Sequence, residues 1–159
     1  MKRHKGHERE FPNAHLYHSL LPVIFMSIWF IDSFIFEFST FLNNYIPFFI
    51  RLSLFILIFG ISLIFIYLSH NTLFKTHEPP DTLITDGIFK YTRNPMYFGI
   101  LLIYVASLTF SISLIAAAFI PVIFYVYNKM VNFEENILYE MFGEEYKSYQ
   151  AKVPKWILR

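Results

Sequence analysis

The segment from Lys90 to Gly99 contains the strongest candidate for an anion-binding site. Asn94 followed by Pro95 predicts the N-cap and the first residue of a helix, which places Arg93 beside the helix N-terminus. Unpaired backbone N–H groups and the helix dipole favour an anion at such a place. The alternative is a simple helix cap next to an arginine that reaches water from an apolar surface.

A second candidate is the carboxylate pair Glu134-Glu135, near the end of a long apolar stretch. Two adjacent carboxylates can hold a cation, although charge solvated at a helix end is an equal alternative. If both candidates emerge at the same face, they suit a zwitterion. Arg93 and the helix start would hold its carboxylate, and one glutamate would hold its ammonium group.

The six histidines do not form a metal-binding pattern, although His4/His7 and His15/His18 have helical i, i+3 spacing. A polar leader is the favoured interpretation of all four. His77 is a candidate base, and an exposed loop histidine is the better explanation of it. The chain has no cysteine, which excludes thiolate ligands, disulfides and a cysteine nucleophile. We therefore expect no metal site.

Long apolar segments must position these residues, because 55% of the chain is hydrophobic and only 16% is charged. Residues 16–36 and 46–69 would form helices of about 32 and 36 Å, and a bilayer core is about 30 Å thick. Residues 96–127 would form a helix of about 48 Å, which is too long for one crossing. The polar residues between Ser107 and Ser113 predict a turn that folds this stretch into a hairpin.

The expected fold is therefore an all-α integral membrane protein with about four transmembrane helices, the last two forming a helical hairpin. We expect one domain over residues 1–159. Residues 1–70 would comprise a leader and two membrane helices. Residues 71–159 would comprise a catalytic loop, the hairpin and short cytoplasmic C-terminal helices. Gly143 is a suitable end for a helix that carries Phe133, Ile137, Leu138, Met141 and Phe142.

The positive charges predict the orientation in the membrane. With an even number of spans, nearly all Lys and Arg residues fall on one side, which should be cytoplasmic together with both termini and the active site. The net charge of +1 argues against a nucleic-acid partner. Arg51 is the exception to the bias, and antiparallel packing of the first two spans would bring it near Asp32. We expect a structural ion pair between them, with a functional role of Asp32 as the alternative.

The second half of the chain resembles the isoprenylcysteine carboxyl methyltransferase family, which belongs to a broader group of membrane methyltransferases that includes the phospholipid N-methyltransferases. The matching motifs keep the order and spacing of that family. They are residues 83–89, 91–99, 134–138, 142–146 with Tyr149, and 153–156.

The resemblance implies S-adenosylmethionine as cofactor and a lipophilic or lipidated acceptor that arrives from the membrane. S-adenosylmethionine carries a carboxylate, an ammonium and a sulfonium, which suits the zwitterion site. The five glycines cannot form a Gly-x-Gly-x-x-Gly loop, which excludes a Rossmann-type methyltransferase. The implied catalytic residues are Arg93 and Glu134. The implied cofactor-binding residues are Arg93, Asn94, Pro95, Tyr97, Gly99, Glu134 and Glu135.

Three other functions remain alternatives to methyl transfer onto an isoprenylcysteine-type carboxylate. A phospholipid N-methyltransferase would use the same cofactor, but its amine acceptor must first lose a proton. An NADPH-dependent membrane reductase and a non-catalytic membrane partner protein would not bind S-adenosylmethionine. Ligand-induced thermal stabilisation distinguishes these possibilities.

Overall fold

The computed structural model of the chain describes residues 11–73 and 82–157. Within these ranges the protein contains only helices and their connections, which confirms the expected fold class. The α-helices are α1 (Ala14–Phe30), α2 (Phe48–Leu73), α3 (Pro95–Phe110), α4 (Leu114–Phe142) and α5 (Glu144–Lys152). A π-helical turn, Ile31–Phe36, extends α1, and short 3-10 turns occupy Phe41–Asn44 and Gly87–Lys90.

Three segments are long and apolar enough to cross a membrane, namely Ala14–Phe36, Phe48–Leu73 and Leu114–Phe142. The predicted hairpin is also present, but α3 has only 16 residues, so it is about 24 Å long and shorter than the bilayer core. In contrast, α4 is about 44 Å long, and its last turns extend beyond the apolar layer. The chain is therefore an integral membrane protein with three helices long and apolar enough to cross a membrane and one shorter apolar helix.

The core lies between α1, α3 and α4. Phe25 of α1 packs edge-on against Tyr104 of α3, with ring centroids 4.9 Å apart, and both side chains are buried. Tyr127 of α4 is fully buried, and its hydroxyl lies 3.0 Å from that of Tyr104. Each phenol thereby gives the other a hydrogen-bond partner, which removes the cost of burying two unpaired hydroxyls. The three helices are thus joined by packing and by a polar contact.

Helix α2 lies outside this core and packs against α3 at Gly99. The Ser62 hydroxyl of α2 donates to the Gly99 carbonyl at 2.8 Å. A Cβ atom at position 99 would lie 2.7 Å from Cγ1 of Ile66 and 3.0 Å from the Ser62 carbonyl oxygen. The absence of a side chain at Gly99 therefore permits the close contact between α2 and α3. The opposite face of α2 is exposed and apolar, as expected for a helix facing lipid.

Polar side chains connect the helices at the turn end, by which we mean the end of the bundle that carries the α3–α4 turn. The Asp32 carboxylate accepts hydrogen bonds from the Ser39 N–H at 3.0 Å, from the Ser39 hydroxyl at 2.5 Å and from the Ser113 hydroxyl at 2.5 Å. The Ser113 hydroxyl also accepts from the Ala116 N–H and so caps α4. One carboxylate thus joins the end of α1 to the start of α4.

The predicted ion pair between Asp32 and Arg51 is wrong. Arg51 instead donates from Nε to the Ile46 carbonyl at 3.1 Å and from Nη1 to the Phe110 carbonyl at 2.5 Å. Its guanidinium therefore hydrogen-bonds backbone carbonyls, one of them at the C-terminus of α3, where a cation is favoured by the helix dipole. Asp32 is already satisfied by serine hydroxyls and a backbone N–H, so the two charges have separate partners.

Candidate functional site

Arg93 and Glu135 form a two-point ion pair at the site end, by which we mean the end of the bundle opposite the α3–α4 turn. Arg93 donates from Nε to Glu135 Oε1 at 2.9 Å and from Nη2 to Glu135 Oε2 at 3.1 Å. The two side chains are only 11% and 8% exposed. This fork geometry is the strongest arrangement available to an arginine and a carboxylate, and it fixes the start of α3 to α4.

The segment before α3 is also tied to the chain that follows α5. The Arg93 N–H donates to the Pro154 carbonyl at 3.0 Å, and Arg93 Nη1 donates to the Val153 carbonyl at 2.7 Å and the Gln150 carbonyl at 3.2 Å. The buried Thr92 hydroxyl donates to the Lys155 carbonyl at 2.9 Å. Arg93 therefore holds three parts of the site end together: the start of α3, α4 and the C-terminal segment.

Asn94 contributes to the same cluster instead of capping α3. The helix begins at Pro95 as predicted, but the Asn94 side chain makes no capping hydrogen bond. Its Nδ2 atom donates to Glu135 Oε1 at 2.9 Å, and the Lys155 ammonium lies 3.7 Å from Glu135 Oε2. Glu135 is therefore surrounded by donors that belong to the protein.

This cluster changes the interpretation of the two adjacent glutamates. The zwitterion hypothesis assigned Arg93 and a glutamate to opposite charges of one ligand, whereas in the structure Arg93 and Glu135 bind each other. Glu135 does not line either of the two cavities described below, but Glu134 lines both. Tyr97 of α3 donates from its hydroxyl to Glu134 Oε1 at 2.5 Å. Glu134 is thus the carboxylate placed where a ligand can reach it.

The first cavity, called here the α5 cavity, has a volume of about 300 Å³. Arg93 and Glu134 are the charged groups on its wall. The rest of the wall is mainly apolar and aromatic, with side chains from the loop before α3, from α4 and from α5, including Phe89, Phe142, Tyr146 and Tyr149. An apolar pocket with few polar groups is typical of small-molecule sites.

The second cavity, called here the α1 cavity, has a volume of about 430 Å³. It lies against α1 and the start of α3 and shares Arg93 and Glu134 with the α5 cavity. Its other polar lining groups include His15, His18 and Tyr97. The His18 ring is half-buried and lies 5.7 Å, between centroids, from the ring of Tyr97. The two cavities thus meet at a common wall that carries both signs of charge.

Two tyrosines of α5 present neutral hydroxyls at the α5 cavity. Burial raises the pKa of Tyr149 to about 12, and its hydroxyl donates to the Phe89 carbonyl at 2.7 Å. Burial, together with the negative charge of Glu135, also raises the pKa of Tyr146 above its ordinary value. The Tyr146 hydroxyl lies near Arg93 and Gln150, but it has no described partner with hydrogen-bond geometry. A buried polar atom without a partner at a cavity wall suits a ligand acceptor.

The structure brings together most of the residues that the sequence predicted for the site. The α1 cavity is lined by Arg93, Asn94, Pro95, Tyr97 and Glu134, and their contact with a cofactor stays a prediction. Gly99 packs closely against α2, which leaves no space for a side chain at this position, and its contact with a cofactor also stays a prediction.

Sequence reasoning gave no site role to His18, although the i, i+3 spacing of His15 and His18 was a usable signal. It also gave no role to Tyr146 and Tyr149, which lie in the quoted motifs and at the α5 cavity. His77 lies outside the described residues. Within the described ranges, acidic residues and histidines form no cluster that could hold a metal ion.

Comparisons with known proteins relate the chain to membrane methyltransferases. A family model described as phospholipid methyltransferase matches residues 49–145. Protein-S-isoprenylcysteine O-methyltransferase B of Arabidopsis thaliana is 30% identical over 81 residues, which is 50% of this chain and 41% of the relative.

Two further relatives carry similar names. A probable protein-S-isoprenylcysteine O-methyltransferase of Oryza sativa subsp. indica is 33% identical over 78 residues, or 48% of this chain and 41% of the relative. The protein-S-isoprenylcysteine O-methyltransferase of Schizosaccharomyces pombe is 31% identical over 85 residues, or 47% of this chain and 32% of the relative. The matches thus span less than half the length of each of these relatives. No solved structure gives a significant match.

Proposed function

Because the chain belongs to the phospholipid methyltransferase family, we propose that it is an integral membrane methyltransferase that uses S-adenosylmethionine and acts on a lipophilic acceptor. The observation that carries this proposal is the pair of adjoining cavities that share Arg93 and Glu134. A methyl transfer requires two ligands whose reacting atoms lie about 3 to 3.5 Å apart. Two adjoining pockets that share lining residues support such an arrangement.

The α5 cavity is the proposed cofactor site, and its residues match the chemical groups of S-adenosylmethionine. Glu134 would face the ammonium or the sulfonium, since both are cationic. The Tyr146 hydroxyl, which has no described hydrogen-bond partner, would donate to the carboxylate beside Arg93. Phe89, Phe142 and Tyr149 provide rings on which an adenine can pack. The arrangement therefore fits the cofactor that the family implies.

The proposed roles of the protein in the reaction are positioning, charge placement and exclusion of water. S-adenosylmethionine supplies an electrophilic methyl group when bound. Tyr97 holds the Glu134 carboxylate at the common wall through a 2.5 Å hydrogen bond. The Arg93–Glu135 pair keeps this wall rigid by joining α3, α4 and the C-terminal segment. The apolar linings exclude water, which strengthens each of these electrostatic contacts.

The proposed acceptor is an isoprenylcysteine-type carboxylate, in line with the names of the three relatives. It would enter the α1 cavity from the membrane, between α1 and the start of α3. A phospholipid amine is the second candidate acceptor. It is favoured by the description of the family model and by the placement of the Glu134 carboxylate, which suits an ammonium group.

Ligand-induced stabilisation of the purified full chain tests the cofactor assignment. S-adenosylhomocysteine at a hundred times its Kd should stabilise the folded protein by about 2.7 kcal/mol, whereas NADPH should have no effect. Stabilisation by NADPH alone would support a reductase, and stabilisation by neither compound would support a non-catalytic partner protein. Transfer of a labelled methyl group to an N-acetyl-S-prenylcysteine, compared with an ethanolamine phospholipid, then identifies the acceptor.

The proposed orientation places the site end, and with it both cavities, in the cytoplasm. It rests on the one-sided distribution of lysine and arginine. The chain has no cysteine of its own, so single cysteines at exposed positions can report topology. Asn44→Cys should react with an impermeant thiol reagent in intact cells, while Ser148→Cys should be protected. The reverse pattern would refute this orientation.

A further inference from the structure

His18 connects α1 to the proposed reaction centre. Its half-buried ring lines the α1 cavity. The ring lies 5.7 Å from that of Tyr97 and 5.8 Å from that of Tyr127, measured between centroids, at interplanar angles of 29° and 31°. Two tyrosines on different helices therefore hold the imidazole in a defined orientation. The interpretation of His18 as part of a polar leader does not explain why its ring lies beside two tyrosine rings.

Tyr97 relates His18 directly to the common wall of the two cavities. Its ring contacts His18, and its hydroxyl donates to Glu134. The three side chains come from α1, α3 and α4 and all line the α1 cavity. Tyr97 thus links His18 to the Glu134 carboxylate, which lines both cavities.

The other polar groups of the α1 cavity are poorly placed to bind an acidic acceptor. Arg93 and Asn94 donate to Glu135 and to backbone carbonyls. Glu134 is itself a carboxylate. His15 and His18 contribute imidazole rings, which can donate N–H groups, to the lining of this cavity. The His15 side chain is exposed, whereas that of His18 is half-buried. Aromatic faces favour a nearby cation, and the rings of Tyr97 and Tyr127 both lie beside His18.

We infer that His18, as an imidazolium, binds the carboxylate of a lipophilic acid in the α1 cavity and thereby determines the acceptor. The inference rests on the proposed methyltransferase function. During transfer, a carboxylate oxygen forms a bond to the methyl carbon while the bond from that carbon to sulfur breaks and its electron pair stays on sulfur. No proton moves. The product ester is neutral and loses its ion pair with His18, which favours its release.

This role has a defined pH dependence. An imidazolium loses its charge as pH rises whereas the acceptor carboxylate keeps its charge, so the ion pair weakens with increasing pH. The acceptor KM should therefore increase with pH. The titratable and charged described groups around His18 are His15 on α1, Tyr97 on α3, Tyr127 and Glu134 on α4, and Arg93 before α3. A His15→Gln variant separates the two histidines.

The test uses the full chain in lipid nanodiscs with N-acetyl-S-farnesylcysteine as the methyl acceptor. His18→Gln should raise the acceptor KM about tenfold or more at low pH, as expected for loss of a charged hydrogen bond. The KM for S-adenosylmethionine should change less than about twofold, since His18 does not line the α5 cavity. His18→Arg keeps a permanent cation and should retain a low acceptor KM that no longer depends on pH.

His70→Gln is the matched control, because His70 lies at the end of α2 and lines neither cavity. It should leave both KM values unchanged. The carboxamide analogue of the acceptor provides a second measurement. As an inhibitor it should bind wild type more weakly than the carboxylic acid does, and His18→Gln should abolish that difference.

The outcomes separate this inference from the proposed function. Methyl transfer with a wild-type acceptor KM in His18→Gln would overturn the role of His18 alone, and so would a wild-type acceptor KM that falls as pH rises. Transfer to an ethanolamine phospholipid with none to the prenylated acid would also overturn it. If wild type neither binds S-adenosylhomocysteine nor transfers methyl groups, the proposed function fails and this inference fails with it.

Discussion

Two buried carboxylates, Asp32 at the turn end and Glu135 at the site end, are satisfied in different ways. Asp32 accepts hydrogen bonds from two serine hydroxyls and one backbone N–H. Glu135 accepts two from the Arg93 guanidinium and one from Asn94. The first set of donors is neutral and joins loops, whereas the second set contains a buried cation that also holds the C-terminal segment.

The difference supports the proposal that some of these charges stabilise the fold while others face ligands. At the turn end, the described hydrogen-bond donors to the carboxylate come from Ser39, in the segment after α1, and from Ser113, at the start of α4. At the site end, the Arg93–Glu135 pair fixes the wall of two cavities, and the adjacent Glu134 faces both of them. The neighbouring glutamates therefore have different surroundings, and the proposed roles are structural for Glu135 and ligand binding for Glu134.

The largest expected effect follows from breaking the pair at the site end. Glu135→Ala leaves the Arg93 guanidinium buried without its carboxylate, which should cost about 3 to 5 kcal/mol of unfolding free energy. Unfolding in mixed detergent micelles measures this loss. Arg93→Ala should lose a similar amount, because it removes the guanidinium that pairs with the buried Glu135 carboxylate.

Glu134→Gln is the control for that measurement, because it changes the neighbouring carboxylate without unpairing Arg93. Its unfolding free energy should stay close to wild type. The double variant Arg93→Ala/Glu135→Ala should lose less than the sum of the two single losses, since each single change leaves a charge unpaired. Additive losses would contradict the ion pair.

A smaller effect is expected in the middle of the bundle, where Gly99 packs against α2. Gly99→Ala places a methyl group 2.7 Å from Cγ1 of Ile66 and should cost about 1 to 3 kcal/mol of unfolding free energy. Gly60→Ala is the matched control, since nothing lies within 4 Å of its added Cβ, and it should be neutral or slightly stabilising. S-adenosylhomocysteine affinity should be unchanged in folded Gly99→Ala. A selective loss of S-adenosylhomocysteine affinity would support a contact between Gly99 and the cofactor.

The smallest expected effect is the coupling between the two charges at the turn end. Asp32 and Arg51 have separate hydrogen-bond partners, so the losses from Asp32→Ala and Arg51→Ala should add to within about 0.5 kcal/mol. A double-mutant cycle in the same unfolding assay measures this coupling. A coupling energy well above that value would restore the ion pair that the sequence suggested.

Local signals in the sequence predicted much of the fold. The Asn94-Pro95 pair marked the start of α3, the serine-rich turn marked the hairpin, and Gly143 marked the end of α4, where it adopts a positive φ of 52°. Each of these signals depends on residues within one or two turns of the boundary. The convergence of Arg93 with Glu134 and Glu135 at one end also followed from the length of the hairpin.

The pairing inside the site could not be predicted, because it depends on helix rotation and long-range contacts. Adjacent residues on a helix point about 100° apart, so Glu134 and Glu135 must face different surroundings. Choosing between them requires knowing that Arg93 lies against Glu135, 42 residues away in the sequence. For the same reason the sequence paired Asp32 with the nearest available cation, although its partner Ser113 lies 81 residues away.

The most direct test of the proposed site compares Glu134→Gln and Glu135→Gln in one calorimetric titration with S-adenosylmethionine. We predict that folded Glu134→Gln binds about ten- to more than a hundredfold more weakly, as expected for loss of a charged contact of about 1.5 to 3 kcal/mol, while its melting temperature stays near wild type. Glu135→Gln should instead lower the melting temperature. Wild-type affinity in Glu134→Gln would contradict the assignment of Glu134 to the cofactor.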